Sequence, residues 1–382
     1  MKKAVVIGAG VAGLAAAIRL SKTGFQVSLY EASDHLGGKL SQKKLGNYRF
    51  DLGPSLFTLP ELVKELYTLC DEDFDSHFPI QRLNPIAHYF WSDGTRVNAH
   101  ADIEAWSDEL SQKLGESKER TIKYFEKAKW VYNTTKPVFL DSSLKRLPLK
   151  SWLFWKALLS IPLLPIVGSL NQHNKRVFKN PKTVQLMNRY ATYNGSNPFS
   201  TPAMMSMIPH LEHGIGAYLP KGGMHQITES LHYLLRKCNV DIHLNTPVQK
   251  IEHQFFNDTG KQKVKGIWIN DQLILSDCVI SNVDAHFTYH KLLPDFLRPE
   301  KILKQERSSS AIIFYWGMKK RFPELDVHNL FFADDYAAEF DGIFRTKRVV
   351  DDVTVYVNIT SKLVRGDAPE DTGRGCTTRL SP

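Results

Sequence analysis

The chain has 382 residues, and 49 Lys and Arg against 40 Asp and Glu leave a formal charge of +9. Its 42% apolar and 23% charged residues are those of a soluble globular protein, which excludes disordered and collagen-like chains. Cys70, Cys238, Cys278 and Cys376 stand far apart in the sequence with no CxxC, which argues against a disulfide scaffold or zinc knuckle and fits a reducing cytosol.

The opening MKKAVVIGAGVAGLAAAI has two lysines before an apolar run, as a leader would. No A-x-A cleavage site follows, and the glycines are spaced for another task. Lys3–Ile7 reads as a short strand, LAAAIRLSKTG as a helix ending at Gly24, and FQVSLYEA as a second strand carrying Glu31. A GxGxxG between strand and helix is the context in which this motif binds a dinucleotide. Gly8 makes the tight turn, Gly10 admits a pyrophosphate to the backbone, and Gly13 lets helix and strand approach. The first amides of that helix, at Val11, Ala12 and Gly13, face the phosphate charge. Glu31, at the end of the second strand, is placed to hold the hydroxyls of an adenosine ribose.

Past Glu31 the chain reads ASDHLGGKLSQKKLGNYRFDLGP. The pair Gly37-Gly38 followed by Lys39 resembles the flavin-binding extension of the amine-oxidase and carotenoid-desaturase superfamily, which favours FAD over NAD. Most members of that superfamily carry Arg at this point; Lys39 supplies the charge without the bidentate fork.

Four further blocks strengthen the resemblance. FDLGPSLFTLPELVKELY (Phe50–Tyr67) is similar to the segment of bacterial, phytoene-type carotenoid desaturases that runs beside the isoalloxazine, and so implies Gly53, Pro54 and Ser55 at the cofactor. Ala217–His253 resembles the family's return to the flavin domain, with Val248 at the position that meets the adenine. Cys278–Pro294 resembles the V-x-S-N-A-D segment, and His328–Phe344 a block of the substrate domain. GGKLSQ, GPSLFTLP and HYFWSDGT (His88–Thr95) resemble the 1-hydroxycarotenoid 3,4-desaturases of flavobacteria more than the phytoene desaturases.

The resemblance implies an α/β fold: a Rossmann-like FAD-binding domain (1–85 and 217–287) interleaved with an α+β substrate domain, membrane-associated, at 86–216 and 288–365. Within the excursions, Asp102–Asn133 is helix-rich and AIIFYWGMKK and VTVYVNIT alternate as strands; residues 217–287 read as successive strands with an N-D-T-G turn. The run Trp152–Leu170 carries Lys156, Pro162 and Pro165, so it is not expected to span a membrane. With Lys145, Arg146 and Lys150 before it and Lys175 and Arg176 after it, it reads either as an interfacial segment or as two buried core helices. Residues 366–382 form an atypical tail of Thr, Arg, Gly and Ser without apolar periodicity. Relatives carry a third, glycine-rich flavin segment there, so a truncation or frameshift at or shortly before Asp371 is expected, and with it weakened FAD retention.

By the same resemblance the reaction removes two hydrogens from neighbouring carbons of a polyene, with flavin N5 as hydride acceptor, at C3–C4 of a 1-hydroxycarotenoid. Phytoene desaturation, flavin amine oxidation and an inactive flavoprotein are the alternatives. Oxygen or a membrane quinone is the implied electron acceptor, and the implied location is the inner face of the cell membrane. No Ser-His-Asp or HExxH arrangement occurs and the fourteen histidines form no ligand pattern, so no catalytic residue or metal ligand is assigned. The basic charge lacks the basic-aromatic pattern of a nucleic-acid binder and suits anionic lipid.

Overall fold

The computed structural model describes residues 1–142, 152–256, 261–296, 299–305, 307–369 and 375–380. The chain forms two units, residues 1–81 with 219–306, and 82–218 with 307–382.

In the first unit, β1 (Lys2–Ile7) ends in four consecutive buried apolar residues, the pattern of a strand covered on both faces. It leads into α1 (Val11–Lys22), where Leu14, Ala17 and Ile18 fall on one stripe and are wholly buried. The chain returns along β2 (Phe25–Tyr30) and later enters α2 (Pro60–Leu69), which has Pro at its first position and Val63, Leu66 and Tyr67 inward. After the second unit's first segment come α3 (Gln226–Lys237) and β3 (Asp241–His243). Next are β4 (Lys250–Phe256), β5 (Lys261–Ile269), β6 (Gln272–Leu275) and β7 (Cys278–Ser281).

Strands β7, β1, β2 and β3 make a parallel sheet in that order, and β4, β5 and β6 an antiparallel one. The two share a core in which Val5, Ile7 and Tyr30 meet Ile251, Ile267, Ile269 and Leu292. Leu292 explains why this unit continues to residue 306 rather than ending at 287: the short helical turns after β7 close its core. The strands fall where the alternation predicted them, while the N-D-T-G turn at 257–260 lies outside the described residues.

The second unit is built on a six-stranded sheet in the order 312–317, 375–380, 355–358, 328–331, 87–90, 96–99. Helices Ile103–Leu114 and Lys118–Phe139, capped by Asp102 and Ser117 side chains, occupy the predicted helix-rich stretch. Within the tail, the stretch Gly375–Leu380 is a strand. It pairs antiparallel with both 312–317 and 355–358, as backbone ladders require no apolar period in the strand that fills them.

The run after Trp152 forms a helix, Trp152–Leu159, and a short turn at Ile161–Leu163. It is not the pair of buried helices that was one of its two readings. Trp152, Leu159, Leu163 and Val167 are 65–76% exposed, while Ala157 and Leu164 are buried. Lys127 anchors the turn by donating to the Leu163 carbonyl at 2.9 Å. Lys145, Arg146 and Lys150 lie outside the described residues. Among the described residues, no helix is long and apolar enough to cross a membrane.

Candidate functional site

The loop between β1 and α1 is shaped by what its glycines lack. A Cβ on Gly13 would sit 2.1 Å from the Gly8 carbonyl oxygen, so a side chain there would drive α1 off the strand. On Gly10 it would come within 2.9 Å of the Asn282 amide nitrogen. The bare backbone therefore forms one wall of a cavity of about 1000 Å³ at the N-terminus of α1. The helix dipole makes that end electropositive, a fit for a pyrophosphate.

Glu31 stands at the end of β2, its carboxylate fixed from two sides. Oε2 accepts the Ala9 N–H at 2.7 Å, and Oε1 accepts both the N–H and the hydroxyl of Ser33 at 2.9 Å. A carboxylate has further lone pairs for the hydroxyls of a ribose. The Thr246–Val248 stretch is brought alongside by backbone bonds, Thr246 N–H to the Glu31 carbonyl at 2.8 Å and Asn245 N–H to that of Ser33 at 2.9 Å. Gly37 bonds back to Ala9 at 2.8 Å, which carries Gly38 and Lys39 onto the same cavity.

Of the residues singled out in the sequence, Gly8, Gly10, Val11, Glu31, Gly38, Lys39, Pro54 and Val248 line this cavity. Ala12, Gly13, Gly53 and Ser55 do not. Gly13 is packed under the loop, and a Cβ on Gly53 would lie 2.1 Å from the Lys39 carbonyl oxygen, so that glycine shapes the wall from behind. Sequence reasoning missed Asn282, Val283 and Asp284 as lining residues, although the S-N-V-D run was the available signal. It also missed apolar lining residues, Leu62, Val63, Met224, Ile227 and Phe287, which come from segments distant in the chain.

One carboxylate assembles this wall. Asp51 accepts the N–H groups of Met224 and His225 at 2.8 and 2.9 Å while Arg49 pairs with it at 2.9 Å. It thereby ties the F-D-L-G-P segment to the entry of α3.

The second unit holds a separate buried polar cluster. Arg189 and Glu212 pair at 2.9 Å, and the Tyr190 hydroxyl donates to the same carboxylate at 3.1 Å. Tyr193 also donates to Glu212, and His213 lies 3.2 Å from the Tyr190 hydroxyl. Despite its burial, the Glu212 carboxyl is held below its ordinary range by the Arg189 guanidinium. Burial, opposed by Glu212, lowers His213 and His328 to about 4 each, so both imidazoles are neutral near pH 7. Among the described residues, no three or more His, Cys, Asp or Glu side chains gather as a metal site requires.

The cavity fits FAD: a glycine wall at a helix N-terminus for the pyrophosphate, Glu31 for the ribose, and apolar lining for a flat ring. Comparison with known proteins agrees. The signature of the flavin-containing amine oxidoreductases matches residues 11–342. The chain belongs to that family. It is an FAD-dependent oxidoreductase, and within the family it groups with the carotenoid desaturases.

The 1-hydroxycarotenoid 3,4-desaturase of Flavobacterium sp. (strain P99-3) is 48% identical over 98% of this chain and 75% of its own length. A 4,4'-diapolycopene oxygenase of Methylomonas sp is 30% identical over 96% and 73%. The zeta-carotene-forming phytoene desaturase of Myxococcus xanthus is 29% identical over 97% and 70%. In fold, the chain resembles an oxidoreductase from Methanosarcina mazei, with a TM-score of 0.66 at 16% identity over 99% of this chain and 78% of that one. Putrescine oxidase follows with a TM-score of 0.60 at 16% identity over 100% and 75%. The family fold is thus the expected Rossmann-like α/β one.

Proposed function

We propose that this enzyme introduces the C3–C4 double bond of a 1-hydroxycarotenoid. The observation that carries the reading is the 48% identity to a desaturase of that name, along 98% of the chain. The roughly 30% identity to phytoene desaturases gives the alternative less support.

When bound, the flavin supplies a hydride acceptor for C–H cleavage. The chain's own residues bind and orient it. The Val11 amide at the start of α1 would face the pyrophosphate, Glu31 would accept from the ribose, and Lys39 would contribute a cation beside Gly38. Leu62, Val63, Met224, Ile227 and Phe287 add apolar side chains to the cavity wall, of which Val63, Met224 and Ile227 are buried.

The substrate is a lipid-dissolved polyene, and the reading includes attachment to a bilayer at its cytoplasmic face. Support comes from the exposed side chains of Trp152, Trp155, Leu159, Leu163 and Val167, flanked by the exposed cations Lys156, Lys175 and Arg176. Tryptophans beside apolar and basic side chains suit a membrane interface.

The test is the purified chain loaded with FAD and given a 1-hydroxylated acyclic carotenoid in liposomes. The expected product absorbs at longer wavelength and is two hydrogens lighter. An FAD-loaded protein that leaves this substrate unchanged but desaturates phytoene, or releases peroxide from polyamines, would overturn the reading.

A further inference from the structure

The cysteines that looked isolated in the sequence are not all isolated in space. Cys70 and Cys238, 168 residues apart, bring their sulfurs to 3.3 Å. Cys70 follows α2 and Cys238 follows α3, each at the helix C-cap. The two helix ends are already fastened around them. Tyr67 meets the Ser230 hydroxyl at 2.8 Å, Tyr233 donates to Glu72 at 2.6 Å, and Lys237 pairs with Glu72 at 2.9 Å. The Ser21 hydroxyl donates to the Cys238 carbonyl at 2.8 Å.

We propose that Cys70 and Cys238 are a reversible oxidation site, a disulfide that staples the two chain segments of the flavin-binding unit together. A disulfide bond is about 2.05 Å long, so the sulfurs must close by little more than an ångström. Both residues are C-caps, where side-chain rotation and a small shift of the terminal turn supply that movement without breaking a helix interior. The surrounding bonds limit relative motion of the helix ends, which keeps the thiols facing one another.

The order of events follows from exposure. Cys238 is partly exposed and meets an oxidant first, while Cys70 is buried. Burial, and then the neighbouring Cys238, push the Cys70 thiol up to about 12, which suits the resolving rather than the attacking partner. With hydrogen peroxide as oxidant, the Cys238 sulfur attacks one peroxide oxygen as the O–O bond breaks, and the thiol proton goes to the departing hydroxide, giving a sulfenic acid and water. The Cys70 sulfur then displaces the sulfenic oxygen, which leaves as a second water, and the S–S bond forms. Two thiols and one hydrogen peroxide thus become one disulfide and two waters. A dithiol reverses the change by exchange.

The staple would act on the cofactor site. Segment 1–81 supplies α2, with Leu62 and Val63 in the cavity wall, and segment 219–306 supplies α3, with Ile227. A covalent link between the ends of these helices would restrain the two parts of the wall relative to one another. The consequence for FAD rests on the flavin reading given above, whereas the cross-link itself does not.

The experiment treats the full chain, with and without FAD, with hydrogen peroxide after complete reduction. Wild type is compared with the C70S and C238S variants, of which C238S alters the more exposed position and is the safer for folding. The expected result is loss of two thiols, recovered by dithiothreitol, and a tryptic peptide pair joined through Cys70 and Cys238. With it come a thermal midpoint about 3–5 °C higher than in the reduced protein and severalfold slower FAD release. Both variants should lack all four changes. Sulfinic acid on Cys238 without a link, a link only between different chains, or a link that leaves or lowers the midpoint would overturn the proposal. A linked, stiffened chain that never takes up FAD would overturn the flavin reading and leave the cross-link standing.

Discussion

The Ala9 amide donates to the Glu31 carboxylate at 2.7 Å, so the residue that closes β2 also fixes the turn that opens α1. The phosphate loop and the ribose ligand are therefore one mechanical element. Glu31→Gln keeps the shape but removes the charge and one acceptor. We expect FAD to bind about 10- to 100-fold more weakly, as for loss of a charged hydrogen bond, with a modest fall in the midpoint of the cofactor-free chain. Flavin fluorescence titration measures the first and calorimetry the second.

Arg189 and Glu212 test a different economy, that of charges buried together. Glu212→Gln leaves the guanidinium in the core without a counter-charge and should destabilise the protein by about 3–5 kcal/mol. Replacing both residues with apolar side chains of similar size should cost far less. Urea unfolding of the two variants decides it: equal losses would mean the pair acts through shape rather than charge.

His213 and His328 set an acid limit. In the unfolded chain each takes up a proton near pH 6.5, whereas in the fold burial delays this to about 4. Between those values the unfolded state binds more protons, so stability falls as pH drops through that window. The slope is about 1.4 kcal/mol per pH unit for each histidine. His328→Asn should flatten the dependence by one proton, read from unfolding midpoints taken at pH 7, 6 and 5 (roughly spanning the window).

The exposed run after Trp152 can be changed without touching the core. Substituting Trp152, Trp155 and Leu159 together by Ser should alter unfolding free energy by no more than about 0.5 kcal/mol, as at other exposed sites. Binding to anionic vesicles should weaken on the order of 100-fold if the three side chains are withdrawn from water there. Flotation with phosphatidylglycerol vesicles reads this directly, and undiminished binding would remove this segment from the membrane proposal.

What could be read from the sequence was mostly local. Gly8, Gly10, Gly13 and Glu31 sit in one strand–helix–strand unit, where spacing alone implies position. Val248 and Lys39 came from resemblance, and both line the cavity. Met224, Ile227 and Phe287 are ordinary apolar residues in sequence, and only long-range packing turns them into a cavity wall. The Cys70–Cys238 approach and the Arg189–Glu212 pair were likewise invisible, since no spacing rule links residues brought together by tertiary structure. For Trp152–Leu170, composition was ambiguous because an apolar helix reads the same whether a core or a surface receives it.

The central strand β1 leaves the ribosome well before its neighbour β7, residues 278–281, and before β3, which completes the sheet from 241–243. A ribosome adding about 5–20 residues per second needs on the order of tens of seconds to deliver those partners. During that interval β1 offers a bare, apolar edge to any other nascent chain. Folding of this half is thus a late, non-local event, and expression at lower temperature or with a holdase chaperone should raise the yield of native protein more than any change to the mature surface.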